Sequence, residues 1–170
     1  MEQLILVNKR DKAIGFQEKL KAHQLGQLHR AFSIFVFDSN GQLMLQRRAS
    51  EKYHCGGLWS NTCCGHPRPK EQLEKAVHRR LKEEMGFDCP LRENFEFIYK
   101  VKFDNNLWEN EYVHIFFGQY NGLPRLNPEE ASDWRWSNLQ DLEKEIRASP
   151  ERFTYWLKKE LAHPKFKLCR

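Results

Sequence analysis

The chain has 170 residues, 40% hydrophobic and 13% aromatic, which suits one globular core and argues against several. Its net charge of +5, from 28 Lys+Arg against 23 Asp+Glu, is scattered without a polybasic block, so a small anionic partner is expected and nucleic acid is not. No apolar run approaches the roughly 18 residues that cross a membrane, and residues 1–8 are too short, and too acidic at Glu2, for a leader.

Residues 4–8 and 13–16 read as short strands around a turn at 9–11. The stretch 18–29 is polar and carries Lys19, His23 and His29; such histidines ordinarily sit on the surface and gain interest only with partners. Residues 30–37 form a nearly continuous apolar run, bounded by Asp38-Ser-Asn-Gly41 and followed by 43–46, which predicts a hairpin of two central strands with a longer turn. Arg47, Arg48 and Lys52 come next. They read either as a wet basic loop or as a phosphate clamp, Arg as a fork and Lys as a point charge.

The stretch 61–87 holds the densest chemistry: NTCCGHPRPKEQLEKAVHRRLKEEMGF. It opens with a tight loop carrying Cys63, Cys64 and His66, in which Gly65 is expected to supply positive φ and Pro67 to fix the exit. From Gln72 onward, Leu73, Ala76, Val77 and Leu81 fall at helical spacing, and Gly86 supplies the stop. At about 100° per residue Glu84 lands inside the apolar arc, while Glu74, Lys75, His78 and Lys82 lie outside it. A carboxylate aimed at a core needs a cation. Arg80, one turn earlier, can be that cation as a purely structural pair, or a metal can be.

Residues 95–103 alternate, placing Phe95, Phe97, Tyr99, Val101 and Phe103 on one face; an inward Tyr99 needs a partner for its hydroxyl. After a turn at 104–106, a strand over 108–120 projects Glu109 and Glu111 from one face about 6.5–7 Å apart, in line with Val113 and Ile115. Two like charges pointing together at a core call for a cation or a proton between them. A Gly/Pro-containing loop at 121–130, a strand at 133–137, a helix at 139–148 and a last helix at 153–163 complete the chain. Trp156 in that helix reads as core packing. No repeat or linker interrupts the sequence, so residues 1–170 are expected to be one compact domain. The five cysteines are an odd number without a disulfide-rich layout or a Cys-x-x-Cys pair, which suits a reducing cytoplasm and argues against thiolate zinc.

The order Gly65, five residues, Glu71, seven residues, Arg79, then Leu81, Glu83, Glu84, Gly86 and Phe87 resembles the Nudix box, whose helix carboxylates hold a divalent cation against a diphosphate. One position departs: Arg80 stands where the box has Glu. Diphosphate binding therefore survives the departure better than diphosphate hydrolysis does. The resemblance implies an α+β fold, a mixed β-sheet sandwich flanked by helices.

Imidazole with carboxylate (His23, His29, His66, Glu109, Glu111) suits Mn²⁺, Zn²⁺ or Fe²⁺, whereas Glu84 beside diphosphate oxygens suits Mg²⁺. The motifs Lys19-x3-His23, His29-Arg-Ala-Phe-Ser33, Arg47-Arg48, the run from Trp59 through Asn-Thr-Cys-Cys64-Gly-His66 to Pro67, Tyr99 and Glu109-Asn-Glu111 together resemble the type I isopentenyl-diphosphate isomerases over nearly the whole chain. Gly56, where that family often has Pro, is a departure that bears only on loop stiffness. The resemblance implies a Mn²⁺ or Zn²⁺ held by His23, His29, His66, Glu109 and Glu111. It implies Mg²⁺ at Glu84 and the Cys64 carbonyl oxygen, and a diphosphate gripped by Lys19, Arg48 and Lys52. It also makes Cys64, Glu111 and Tyr99 catalytic and lays the Trp156 ring over a tertiary carbocation, beside the packing role read above. Which of Cys64 and Glu111 is acid and which base stays open. A monomeric isomerase of isopentenyl and dimethylallyl diphosphate is the first expectation; a Nudix hydrolase of a nucleoside diphosphate derivative is the alternative.

Overall fold

The computed structural model describes residues 2–52, 54–103 and 105–168; Asp104 of the expected turn and Cys169 fall outside these. In chain order the elements are β1 (Gln3–Val7), β2 (Ala13–Glu18), α1 (Lys19–Leu25), β3 (His29–Phe37), β4 (Leu43–Arg48), β5 (Trp59–Ser60), β6 (Cys63–Gly65), α2 (Leu73–Met85), β7 (Leu91–Lys102), β8 (Trp108–Gln119), β9 (Ala131–Ser137), α3 (Leu139–Ala148), α4 (Tyr155–Ala162) and α5 (Pro164–Leu168), with one 3-10 turn at Pro150–Arg152.

Strand β3 is apolar on both faces because it is covered on both. Phe32, Ile34 and Val36 pack with Ala76, Val77, Leu81 and Met85 of α2. Ala31 and Phe35 pack on the opposite side with Leu157, Leu161 and Phe166 of α4 and α5. Along its edges β3 runs parallel to β8, in register from His29↔Glu111 to Phe37↔Gln119, and antiparallel to β6. β7 pairs antiparallel with β8, and β4 lies between β5 and β9. The result is the mixed sheet with flanking helices that the Nudix resemblance implies.

Three local expectations need correction. The β3–β4 hairpin is paired only at Phe37↔Leu43. Beyond the turn the strands separate, because β8 and β6 take the edges of β3 while β5 and β9 take those of β4. The cysteine loop is largely strand, β5 and β6, not a free-standing tight turn. Gly65 is not among the residues with positive φ. It is there for space: a Cβ on it would sit 2.9 Å from Phe32 Cζ and 3.1 Å from Arg80 Cγ. Gly65→Ala should therefore push β6 off β3 and lower stability by about 1–3 kcal/mol, read as a fall in the urea midpoint.

The polar stretch 18–29 becomes a helix and the start of a strand. Glu18 caps α1 by accepting from the backbone N–H groups of Leu20 and Lys21, and Gly26 closes it with φ of 59°. That turn lifts His23 into the interior. Gly86 ends α2 in the same left-handed conformation, with φ of 71°. No helix of the described residues is long and apolar enough to cross a membrane.

Candidate active site and metal centre

α1, β3, the exit of β6, and β8 converge at one end of the sheet. The parallel register sets Glu111 beside His29, and the period of two brings Glu109 to the same face. His23, His29 and His66 offer ligand atoms within 4.8 Å of one another, as do His29, Glu109 and Glu111. His23, His29 and Glu109 are almost fully buried. All five candidate ligands are thus brought together.

Their tautomers are fixed from behind. His23 Nδ1 lies 2.7 Å from the Lys19 carbonyl and His29 Nδ1 lies 2.9 Å from the Gln27 carbonyl. A carbonyl only accepts, so both Nδ1 atoms carry hydrogen and Nε2 is the nitrogen each ring turns inward. Those Nε2 atoms meet carboxylates: His23 at 3.3 Å from Glu109, His29 at 3.7 Å from Glu111, with His66 Nε2 3.2 Å from the same Glu111 oxygen. His29 Nε2 and Glu109 Oε2 have no hydrogen-bond partner among the described residues. Buried imidazoles with Nε2 turned inward beside buried carboxylates are a donor set that fits a divalent transition metal.

The electrostatics agree. Burial opposes charge on Glu109, yet the His23 and His54 imidazoles beside it hold its carboxyl well below the usual range. Burial and the neighbouring Glu109 work against Glu111, but His29 and His66 still bring it below its ordinary value. Burial pushes His66 down to about 4, and the nearby His29 and Lys19 add to this against the pull of Glu111. The unfolded chain protonates this imidazole near 6.5 and the folded chain only near 4, so stability is lost as pH falls through that window. The metal-free protein should thus lose up to about 3 kcal/mol between these limits from this group. His66→Asn should flatten that part of the urea-midpoint profile against pH.

A cavity of 560 Å³ opens beside the cluster. Lys19, Arg48, Lys52 and Arg80 line it, and so do Cys64, Tyr99, Glu111 and Trp156. Tyr99 donates to Glu111 Oε2 at 2.6 Å, which answers the requirement that its hydroxyl find a partner. Burial and the Glu111 charge raise the phenol well above its usual value, so it stays a donor. Cys64 donates to Asn61 Oδ1 at 3.0 Å, and burial pushes its thiol far up. Trp156 combines both readings: it is nearly buried, donates to Ser60 Oγ at 2.8 Å, and carries the Arg48 guanidinium 5.1 Å from its ring centroid. Lys19 pairs with Glu2 at 2.9 Å and Lys52 with Glu130 at 2.5 Å.

Glu84 is buried, and the structural pairing foreseen from its helical spacing is present. Its Oε1 meets the Arg80 guanidinium, and its Oε2 accepts from Gln46 Nε2 at 2.8 Å. It nonetheless lines the same cavity as Cys64.

His54 was not singled out from the sequence. It contributes a fourth imidazole, its Nε2 2.8 Å from Glu109 Oε1 and its ring 5.8 Å from that of Trp156. Its only signal in the sequence is its place between Lys52 and Trp59 in the segment that leads into the cysteine strands. Glu130, which holds Lys52 and Arg80, was missed in the same way.

The chain matches the NUDIX domain family over residues 27–157. It is 56% identical over 156 residues to isopentenyl-diphosphate Delta-isomerase 2 of Aromatoleum aromaticum, covering 92% of this chain and 82% of that protein. It is 54% identical to isopentenyl-diphosphate Delta-isomerase 2 of Photorhabdus laumondii, covering 93% of this chain and 89% of that one. Among solved structures, DR0079 from Deinococcus radiodurans superposes with a TM-score of 0.80 at 23% identity, over 94% of this chain and 97% of that one. A MutT NUDIX hydrolase from Burkholderia pseudomallei gives 0.63 at 20% identity, over 79% and 96%. These two likenesses concern the fold alone.

Proposed function

The chain belongs to the NUDIX family and, within it, to the isopentenyl-diphosphate Delta-isomerases, and from that premise we propose how its cavity performs the reaction. The protein is an isomerase of isopentenyl and dimethylallyl diphosphate. One observation carries the mechanism: Cys64 from β6 and Glu111 from β8 line a single cavity that Lys19, Arg48 and Lys52 line as well.

The diphosphate is gripped by Lys19, Arg48 and Lys52, each of which must exchange its present contact for a phosphate oxygen. This leaves the five-carbon chain among Cys64, Tyr99, Glu111 and Trp156. An unactivated terminal alkene needs a proton delivered to C4 and a proton removed from C2. Cys64 and Glu111 divide those tasks, and because the reaction runs both ways each serves as donor in one direction and acceptor in the other. Tyr99 holds the Glu111 oxygen that carries the moving proton. The tertiary cation between the two steps lies against the Trp156 ring, where attraction to the π face contributes about 2 kcal/mol once water is excluded.

His23, His29, His66, Glu109 and Glu111 would hold Mn²⁺ or Zn²⁺, and Glu84 with the Cys64 carbonyl oxygen would hold Mg²⁺ that arrives with the diphosphate. When bound, the first ion draws charge from the Glu111 carboxylate and the second neutralises the diphosphate. To hold Mg²⁺, Glu84 would have to give up part of its pairing with Arg80. Every group named comes from one chain, so the proposal needs neither an oligomer nor a nucleic acid, and a cytoplasmic setting belongs to it.

The hydrolase alternative fares worse. Arg80 occupies the position of a Nudix carboxylate and neutralises Glu83 and Glu84 instead of adding a third negative group. Incubation of isopentenyl diphosphate with Mg²⁺ in deuterated water should place deuterium in a methyl group of dimethylallyl diphosphate without releasing phosphate. Unlabelled methyls, or phosphate release without isomerisation, would end the proposal.

A further inference from the structure

Glu160 of α4 is fully buried, yet the mechanism above gives it nothing to do. Its Oε1 lies 2.5 Å from Ser33 Oγ, and its Oε2 has no hydrogen-bond partner among the described residues. Ser33 Oγ in turn lies 3.5 Å from Cys64 Sγ. The contact between Ser33 and Cys64 is built into the fold, since the two are register partners across β3 and β6.

The sense of the chain follows from its far end. Asn61 spends its amide hydrogens on the carbonyls of Ile34, at 3.1 Å, and Cys63, at 3.0 Å. Its Oδ1 is therefore the acceptor that faces the sulfur, and the Cys64 S–H points at it. What the sulfur can still take is a donor, and Ser33 is the hydroxyl beside it. If Glu160 were ionised it would claim the Ser33 hydrogen and leave the sulfur without one. A neutral Glu160 reverses this: its own O–H goes to Ser33 Oγ, and the Ser33 O–H goes to Cys64 Sγ. A carboxyl with no cation and one oxygen unpartnered in a dry interior is neutral on general grounds. Burial, reinforced by the charge of Glu111, accordingly holds it well above the usual carboxylate range.

We propose that Ser33 and a neutral Glu160 are positioning residues for Cys64, forming a one-way line of donors from Glu160 through Ser33 to the sulfur. The inference rests on the isomerase reading of Cys64. No proton changes owner along the line; it steadies the sulfur, and it offers a hydrogen bond whenever the thiol has given its hydrogen away. Glu160 does not line the cavity, whereas Ser33 and Cys64 do, so its influence reaches the substrate only through them.

The test compares the metal-loaded wild type with Ser33→Ala, Glu160→Leu and Glu160→Gln, reading kcat, KM, metal content and thermal midpoint. Removing a hydrogen bond to a group that is charged in the reaction should cut kcat about 30-fold in Ser33→Ala and Glu160→Leu, with KM and metal content within about twofold of wild type. Glu160→Leu should keep or raise the thermal midpoint, because it removes a buried acid. Glu160→Gln, which keeps a neutral donor of the same size, should restore kcat to within about threefold of wild type. A kcat within twofold of wild type in Glu160→Leu would make the line mere packing. A Glu160→Gln as slow as Glu160→Leu would mean that the ionised carboxylate is needed, and would overturn the proposal. Where Glu160→Leu does not fold, Ser33→Ala and Glu160→Gln decide between the same outcomes. Wild-type label incorporation, measured alongside, reports separately on the isomerase reading; its absence sinks both.

Discussion

Cys64→Ala is expected to lower kcat for isomerisation about a thousandfold while leaving KM, metal content and the thermal midpoint nearly unchanged. The sulfur sits on a strand whose backbone pairing with β3 does not depend on the side chain. It is only half-buried, and its hydrogen bonds go to Asn61 and Ser33, which keep other partners. The loss should therefore be confined to proton transfer, where a positioned acid or base contributes about a hundredfold to ten-thousandfold. Steady-state kinetics on isopentenyl diphosphate measures it. Isomerisation persisting within about tenfold of wild type would remove Cys64 from the chemistry.

The second large effect separates two carboxylates that are neighbours on one strand face. Glu109 looks toward His23 and His54. Glu111 looks toward His29 and His66 and accepts from Tyr99, although both carboxylates line the cavity with Cys64. On the proposed ligand set both changes to Gln remove a metal ligand, so both proteins should purify with less bound metal. Excess Mn²⁺ or Zn²⁺ should return Glu109→Gln to within about tenfold of wild type. Glu111→Gln should stay at least about a thousandfold down at any metal concentration, because the amide can neither give nor take the proton. Equal recovery of the two would show that Glu111 serves the metal alone.

The sequence makes much of this site readable because its signals are local. Alternation on β8 announces that Glu109 and Glu111 share the inner face, and the helical arc of α2 announces that Glu84 points inward. An apolar run without alternation marks β3 as covered on both sides. What escaped notice is non-local. His54 matters because Glu109 comes up beside it, and Glu160 because Ser33 lies under α4. Neither partner is near in sequence, so no periodicity points to them. Gly65 misled for a related reason: a glycine between polar residues suggests a turn, yet here the missing Cβ makes room for Phe32 and Arg80. The polar stretch ahead of β3 hid a helix because its cap is Glu18, an unusual residue for that position.

The parallel pairing of β3 with β8 also governs when the centre comes into being. His29 and Glu111 belong to distant parts of the chain, and parallel strands need a long crossover before they can meet. During synthesis the early imidazoles must wait for β8 to emerge and dock, with nothing beside them to complete a donor set. On the proposed ligand set, loading with metal is thus the closing act of maturation, after β3 and β8 have paired.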